Sequence, residues 1–271
     1  MRARDLHLKK VVLLHYKKHK RSLPWRNKNI PYNVFVSEYM LQQTQVERVI
    51  PKFNVFIKRF PNFNVLSHAS LPEVFALWQG LGYNRRAKYL RDAAKRIVEE
   101  KKGILPNDQL YLESLPGVGP YTAGAIRAFA FGSADSFIET NIRTVILHHF
   151  FKDKKDITDL MILTVLKKLE PKAGKASQVW YAALMDYGSY LKRGGVKLNP
   201  SSAHYTKQKK FAGSSRELRG MIMRFLLVEQ LSFQNLIRKT KRKPLEVREE
   251  LQRLEKEQLV QKRKNNYALT N

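Results

Sequence analysis

A chain of 271 residues, 43% of them hydrophobic, is long enough to form one large domain or two to three small ones with buried cores. The 51 Lys and Arg residues outnumber the 23 Asp and Glu residues, and the net charge of +28 favours a polyanionic partner without determining the fold. The sequence contains no cysteine, which excludes disulfides, thiolate metal ligands and a cysteine nucleophile.

The N-terminal segment is basic, and its apolar run from Val11 to His15 is too short for a signal peptide or a membrane span. We therefore expect the protein to share a compartment with nucleic acid. The lack of a targeting segment favours the cytoplasm of a prokaryote, with the nucleoid. Residues 5–18 are predicted to form an amphipathic helix, with Leu6, Val12 and Leu13 among its apolar positions.

Helical patterns continue along the chain, and no alternating pattern of strand length occurs before residue 257. Further helices are predicted at 32–45, 46–59, near Val65, 72–80, 84–101, 109–115 and 122–129. The sequence therefore predicts an all-α fold.

The segment Leu115–Ala125, LPGVGPYTAGA, predicts a hairpin between two helices. Gly117 and Gly119 allow positive φ without a Cβ clash, and Pro120 suits the first position of a helix. The hairpin amides and the helix N-terminus would form a site for one phosphate. A corner between two helices without a ligand is the alternative, and the basic composition favours a nucleic-acid backbone.

Residues 23 to about 190 resemble the MutY adenine glycosylases of the endonuclease III-like helix-hairpin-helix superfamily. The matching motifs, in the same order and spacing, are LPWR at Leu23, PY at Pro31, SEYMLQQTQVERVIPKF at Ser37, LWQGLGYNRRAKYL at Leu77, the hairpin segment, and ALMDYG at Ala183. The resemblance implies a two-lobed helix-hairpin-helix glycosylase fold. It also implies a monomeric enzyme of base-excision repair, whose partner is double-stranded DNA containing a mismatch or an oxidised base.

The C-terminal region differs from that of MutY enzymes, which carry a domain that recognises 8-oxoguanine. Helices predicted at 216–227, 233–240 and 244–257, followed by a hairpin around residues 264–266, indicate a winged helix instead. From Lys192 onward there are 20 Lys and Arg against 7 Glu, which suits duplex DNA. A winged helix that contacts protein is the alternative, because Glu246, Glu249 and Glu250 make its third helix acidic.

The expected domain organisation has four parts. Residues 23–132 form a six-helix domain that contains the hairpin, and residues 1–22 join 133–190 in a second helical lobe. Residues 191–215 form a basic linker, and residues 216–271 form the winged-helix domain.

Glu38 is the first candidate catalytic residue, because it lies at helical spacing between Val34 and Leu41. A carboxyl on an apolar helix face loses hydration, which raises its pKa and lets it act as a general acid near neutral pH. A glutamate that turns out to solvent is the alternative. The resemblance implies that Glu38 protonates N7 of adenine, and that Gln42 and Gln43 contact the base stack.

Tyr121 occupies the position where bifunctional relatives carry a Schiff-base lysine. A phenol cannot form an imine, so we expect a monofunctional glycosylase without lyase activity. Glu139 stands where relatives have an aspartate that stabilises the cationic sugar, with Asn141 as its orienting neighbour. An N-terminal helix cap is the alternative role for Glu139.

The resemblance also implies the residues that contact DNA. Tyr83 is expected to fill the stack beside an extruded base, and Arg86 to contact phosphate, although a solvated helix face is equally compatible with that arginine. At the hairpin the expected DNA-binding residues are Gly117, Val118, Gly119 and Thr122. Relatives often bind a monovalent cation there through main-chain carbonyls, which correspond to those of Glu113, Leu115 and Val118.

MutY and endonuclease III usually hold an iron–sulfur cluster with four cysteines after ALMDYG. The corresponding positions in this chain are Lys192, Asn199, Ser202 and Gln208, so we expect no cluster and no other cofactor. The expected reaction is release of adenine mispaired with 8-oxoguanine or guanine. Removal of thymine or uracil from mismatches, and structure-specific DNA binding without catalysis, remain alternatives.

Overall fold

The computed structural model describes residues 3–203 and 211–270 and is predominantly helical. Fourteen α-helices occur within these ranges: α1 Ala3–His19, α2 Pro31–Leu41, α3 Val46–Arg59, α4 Phe63–His68, α5 Leu71–Trp78, α6 Arg85–Lys101, α7 Gln109–Ser114, α8 Pro120–Ile126, α9 Thr140–Phe150, α10 Asp159–Leu169, α11 Lys175–Arg193, α12 Ser215–Val228, α13 Phe233–Thr240 and α14 Pro244–Lys256. The all-α prediction is confirmed, and the predicted helices agree with these bounds to within a few residues.

The chain divides into two compact units. The described residues of the first are 3–38, 106–114 and 118–203, and those of the second are 39–105, 115–117 and 211–270. This division differs from the predicted domain boundaries. Val34 and Phe129, assigned by sequence to the six-helix domain, are buried in the core of the first unit.

The core of the first unit forms where α11 packs against α9 and α1. Gly188 makes the approach to α9 possible, because a Cβ built on it would lie 2.2 Å from the carbonyl oxygen of Asn141. On α1 the buried apolar residues are Leu8 and Val12, whereas Leu6 is 53% exposed. The apolar face predicted for α1 was therefore wrong by part of a turn.

A single π-helical turn, Arg127–Phe131, follows α8 directly. The turn widens the helix, and the amide of Gln178 on α11 donates to the carbonyl oxygen of Phe129 at 3.0 Å. The turn ends at Gly132, whose φ of 71° is in the left-handed region. The chain then runs without regular secondary structure to the start of α9.

The second unit combines α3–α6 with the C-terminal region. Phe56, Phe60 and Trp78 pack edge to face between α3 and α5, with centroid separations of 5.0 and 6.3 Å. Ser70 caps α5 in a capping box with Glu73, which fixes where that helix begins.

The C-terminal region has the topology of a winged helix, as predicted. It contains α12–α14 and three short antiparallel strands, β1 Leu231–Ser232, β2 Val260–Arg263 and β3 Asn266–Leu269, in the order β1-β3-β2. Val260 pairs with Leu269 in the β2–β3 hairpin. The two-residue β1 has no detectable alternation and was not predicted. Because α12 contacts α5, this region groups with the second unit and does not stand apart.

The predicted linker, residues 191–215, is only partly a loop. Its first three residues complete α11, and Asn199–Ser201 form a 3-10 turn. Residues 204–210, which include Gln208, lie outside the described residues.

Candidate active site

Helix α2 brings Glu38 into an apolar environment. Its neighbours Val34, Phe35, Val36, Tyr39 and Met40 are all 2% exposed or less. Burial and, second to it, the negative charge of Glu139 raise the pKa of Glu38 to about 8, whereas the charge of Arg26 opposes the shift. At neutral pH this carboxyl therefore retains its proton.

Glu139 lies at the N-terminus of α9 and is its N-cap residue, which is the alternative role predicted for it. Its carboxylate caps the helix by accepting from the amide of Asn141 at 2.7 Å, and the Asn141 side chain donates to the other oxygen at 3.2 Å. Burial raises the pKa of Glu139, and the hydrogen bonds from Asn141 and the charge of Lys192 offset part of that rise. The charge of Glu139 thus acts on Glu38, and Asn141 fixes the orientation of the Glu139 carboxylate.

Tyr121 completes this group from the first turn of α8. Burial and the charge of Glu139 raise the pKa of its phenol, although the side chain is 39% exposed, and Arg143 hydrogen-bonds to it. The phenol therefore remains a neutral hydrogen-bonding group at physiological pH. The structure brings together Glu38, Tyr121 and the Glu139–Asn141 pair, which come from three separate parts of the sequence.

A buried ion-pair cluster supports the first carboxyl. Asp186 is 1% exposed and accepts two hydrogen bonds from Arg26, both at 3.0 Å, and two from Arg21, at 2.7 and 2.9 Å. Burial opposes ionisation, but these arginines lower the pKa of Asp186 below its ordinary value. Asp186 thereby fixes Arg26, whose charge acts on Glu38.

Sequence reasoning assigned no role to Arg26 or Asp186. The signal that could have found them is their place in two of the matching motifs, LPWR and ALMDYG.

Arg143 connects the site to the segment after α11. It pairs with Asp159 on α10, hydrogen-bonds to Tyr121 and donates to the hydroxyl of Ser202 at 2.7 Å. Next to it, Thr144 donates to Asn199 at 3.1 Å. Two of the positions that correspond to cluster cysteines therefore make polar contacts to α9, and sequence reasoning did not anticipate these.

The glutamines predicted to contact the base stack follow α2 in the second unit. The amide of Gln42 donates to the carbonyl oxygen of Gly117 at 3.1 Å. Gln43 is exposed and has a left-handed φ of 52°. The two glutamines thus form the turn that follows α2.

Arg86 is a correction to the predicted DNA contacts. Its side chain is 7% exposed, and its guanidinium donates to carbonyl oxygens on both sides of it, at 2.7–3.0 Å: those of Tyr39, Met40, Gln42, Leu81 and Gly82. Burial lowers its pKa to about 10. Arg86 holds two turns of the chain together and has no exposed charge to offer a phosphate.

Tyr83 lies in one of those turns, half-buried, with a left-handed φ of 48°. The guanidinium carbon of Arg86 lies 5.4 Å from its ring centroid. The buried arginine therefore supports the aromatic side chain that the sequence singled out.

The hairpin glycines differ from each other. Gly117 has a φ of 78°, and a Cβ there would lie 2.8 Å from the ring of Tyr89, so only glycine fits. Gly119 instead has a φ of −102° and is the N-cap residue of α8, so it does not use the positive φ that a glycine allows. Val118 is buried, and Thr122 is half-buried in the first turn of α8.

Within residues 3–203 and 211–270, no three His, Asp or Glu side chains are grouped so that they could hold a metal ion. None of the helices in these ranges has the length and hydropathy needed to cross a membrane.

The HhH-GPD superfamily base excision DNA repair protein model matches residues 36–178, which contain all four residues of the first-unit site. Similar proteins named adenine DNA glycosylase include one from Mycolicibacterium smegmatis, 32% identical over 233 residues and covering 79% of this chain and 78% of the relative. The human protein of that name is 42% identical over 144 residues, and that of Buchnera aphidicola subsp. Baizongia pistaciae is 43% identical over 131 residues. These alignments cover about half of this chain but only 26% and 37% of those two relatives.

Solved structures share the fold. A thermostable thymine-DNA glycosylase superposes with a TM-score of 0.60 at 22% identity, covering 69% of this chain and 86% of that one. A trapped endonuclease III–DNA covalent intermediate gives a TM-score of 0.57 at 18% identity, covering 73% and 89%. From the family match and the Mycolicibacterium alignment, this chain belongs to the HhH-GPD superfamily of base excision DNA repair proteins.

Proposed function

We propose that this protein is a monofunctional DNA glycosylase that releases adenine mispaired with 8-oxoguanine or guanine in double-stranded DNA. The observation that carries the proposal is the pair of half-buried carboxyls, in which desolvation raises the pKa of Glu38 to about 8 and Glu139 is held by Asn141. The relatives named adenine DNA glycosylase support the choice of base.

The proposed reaction uses the two carboxyls in different protonation states. Glu38 donates its proton to N7 of adenine, which makes the base a neutral leaving group. The glycosidic bond then breaks, and the ionised Glu139 stabilises the cationic sugar, as paired carboxylates do in glycoside hydrolysis. Water adds to the sugar carbon and loses a proton, leaving free adenine and an abasic site.

The absence of a lyase step is part of the proposal. Tyr121 presents a neutral phenol to this site, and a phenol cannot form the imine from which a lyase eliminates the strand. Borohydride added during turnover is expected to trap no covalent protein–DNA adduct, whereas an adduct would show that another amine attacks the sugar.

We also propose that the segment after α11 is held without an iron–sulfur cluster. In support, the sequence has no cysteine, and Asn199 and Ser202 hydrogen-bond to Thr144 and Arg143. The purified protein is expected to be colourless, and absorption near 400 nm would contradict this.

DNA is also the proposed ligand of the winged helix. Lys262, Arg263 and Lys264 are exposed at the tip of the β2–β3 hairpin. Replacing all three by alanine should reduce the salt dependence of duplex affinity. Each phosphate contact that is lost means that fewer counterions leave the DNA when the protein binds. An unchanged salt dependence would favour a protein partner for this region.

The experiment that tests the function is single-turnover base release from a duplex with adenine opposite 8-oxoguanine. Wild type is compared with Glu38→Gln, and with Glu99→Gln, which removes an exposed charge from α6. We expect release by wild type and Glu99→Gln, and none by Glu38→Gln.

Failure of wild type to release adenine would overturn the choice of base. Duplexes with thymine or uracil mismatches would then distinguish a different glycosylase from a protein that binds without catalysis.

A further inference from the structure

Tyr83 is held in a conformation that a tyrosine rarely adopts. Its φ of 48° is left-handed, and such a residue persists only where its surroundings impose it. Two guanidinium groups are close to its ring. The carbon of Arg86 lies 5.4 Å from the centroid, and that of Arg216, in the first turn of α12, lies 5.5 Å from it.

Arg216 also binds the polar end of the same side chain. Its Nη1 donates to the Tyr83 hydroxyl at 2.7 Å. One residue of the winged helix therefore contacts both the ring face and the hydroxyl of the tyrosine, so it restrains the position of the ring and its rotation.

A second set of ion pairs fixes α12 beside Tyr83. Arg219, one turn after Arg216, forms a bidentate pair with Glu257 at 2.9 and 3.0 Å and bonds the buried Glu250 at 2.6 Å. Glu257 also pairs with Arg85, which follows Tyr83 by two residues. The winged helix is thus joined to both the tyrosine and the start of α6.

We propose that Arg216 is a positioning residue that holds Tyr83 in the geometry from which it enters the DNA stack, so that the winged helix takes part in base extrusion. The inference rests on the proposed function and on the role that the family resemblance implies for Tyr83, which is to fill the space beside the extruded base. An arginine that only contacted phosphate would not need the Tyr83 hydroxyl, and this difference makes the two roles separable.

The test measures DNA distortion separately from catalysis. A duplex carries 2-aminopurine beside the mispaired adenine, and its fluorescence rises when a bound protein unstacks it. Measurements use saturating full-length protein with Glu38→Gln, so that no base is lost. The added variants are Arg216→Ala, Arg216→Lys, Tyr83→Phe, the Arg216→Ala/Tyr83→Phe double variant, and Arg224→Ala as a control. Arg224 is an exposed residue of the same helix, and its loss removes the same charge.

We expect Arg216→Ala and Tyr83→Phe each to lower the unstacking rate roughly tenfold, as expected for loss of a partly buried cation–π contact or its charged hydrogen bond. The double variant should be no slower than the slower single variant, Arg216→Lys should recover part of the rate, and Arg224→Ala should match its parent.

Three results would overturn the inference: additive effects in the double variant, equal rates for Arg216→Ala and Arg224→Ala, or faster unstacking in Arg216→Ala. If Arg216→Ala does not fold, Arg216→Lys against Tyr83→Phe carries the same comparison. Adenine release by wild type with an unaffected Arg216→Ala would refute the inference and leave the function standing. If unstacking depends on Arg216 but wild type releases no adenine, the inference would stand and the proposed function would be refuted.

Discussion

Glu38→Gln should change the pH dependence of folding stability as well as abolish base release. The pKa of Glu38 rises from 4.5 to about 8 on folding. The folded state therefore binds this proton more tightly than the unfolded chain, and the charged carboxyl destabilises the protein increasingly as the pH rises from 4.5 towards 8. By linkage, this destabilisation grows by about 3 kcal/mol between pH 5.5 and pH 8.5. Glutamine cannot ionise, so the variant lacks this loss.

The assay is urea unfolding at pH 5.5 and pH 8.5, followed by the fluorescence of the three buried tryptophans, Trp25, Trp78 and Trp180. The quantity of interest is the free energy of unfolding of Glu38→Gln minus that of wild type, compared between the two pH values. This difference should be about 3 kcal/mol more positive at pH 8.5 than at pH 5.5. The exposed Glu99→Gln should show no such change. An equal difference at both pH values would mean that Glu38 is hydrated, and the argument for a general acid would fail.

Three further predictions follow from the same site and its supports. The single-turnover rate of base release should fall about tenfold per pH unit above pH 8, as Glu38 loses its proton. The rate should also fall as the pH is lowered, and this fall should begin above pH 4.5, the ordinary pKa of a glutamate, because the pKa of Glu139 is raised. A flat profile would contradict both roles. Gly188→Ala should destabilise the protein by about 3 kcal/mol, because its Cβ overlaps the backbone of α9, whereas Gly220→Ala, which meets open space on α12, should stabilise it slightly; equal effects in urea unfolding would refute the packing argument. Asp186→Asn should cost about 3 kcal/mol at pH 7, since two arginines lose a buried charge partner. That loss should diminish as the pH falls below 3.8, where the wild-type carboxyl also becomes protonated.

Much of the acid site could be predicted because it depends on local pattern. The apolar residues around Glu38 recur at helical spacing, so the sequence alone favours a desolvated position for this carboxyl. Glu139 and Asn141 are close in sequence and meet at a helix start, where a short polar segment determines the hydrogen bonds. Such features need no knowledge of the tertiary fold.

The errors occurred where the outcome depends on distant parts of the chain. An arginine in a basic segment can face solvent or carbonyl groups, and Arg86 is buried because the end of α2, which is remote in sequence, and the turn just before α6 both direct carbonyls at it. The pairing of Asp186 with Arg21 and Arg26 joins positions about 160 residues apart. The backbone conformation of Gly119 is set by its position as the N-cap of α8, and the residue type alone does not indicate it. The spacing of apolar and polar residues along the sequence predicts none of these features.

The π-helical turn at Arg127–Phe131 also limits how the length of the chain can vary. Such a turn holds one more residue than an α-helical turn, so deleting a residue there would let α8 continue as a regular helix. Every later position of the helix would then rotate by about 100° and carry Phe129 away from the core. Length changes between Tyr121 and Glu139 should therefore be tolerated poorly. The exposed turn at 152–156, after α9, should accept insertions far more readily.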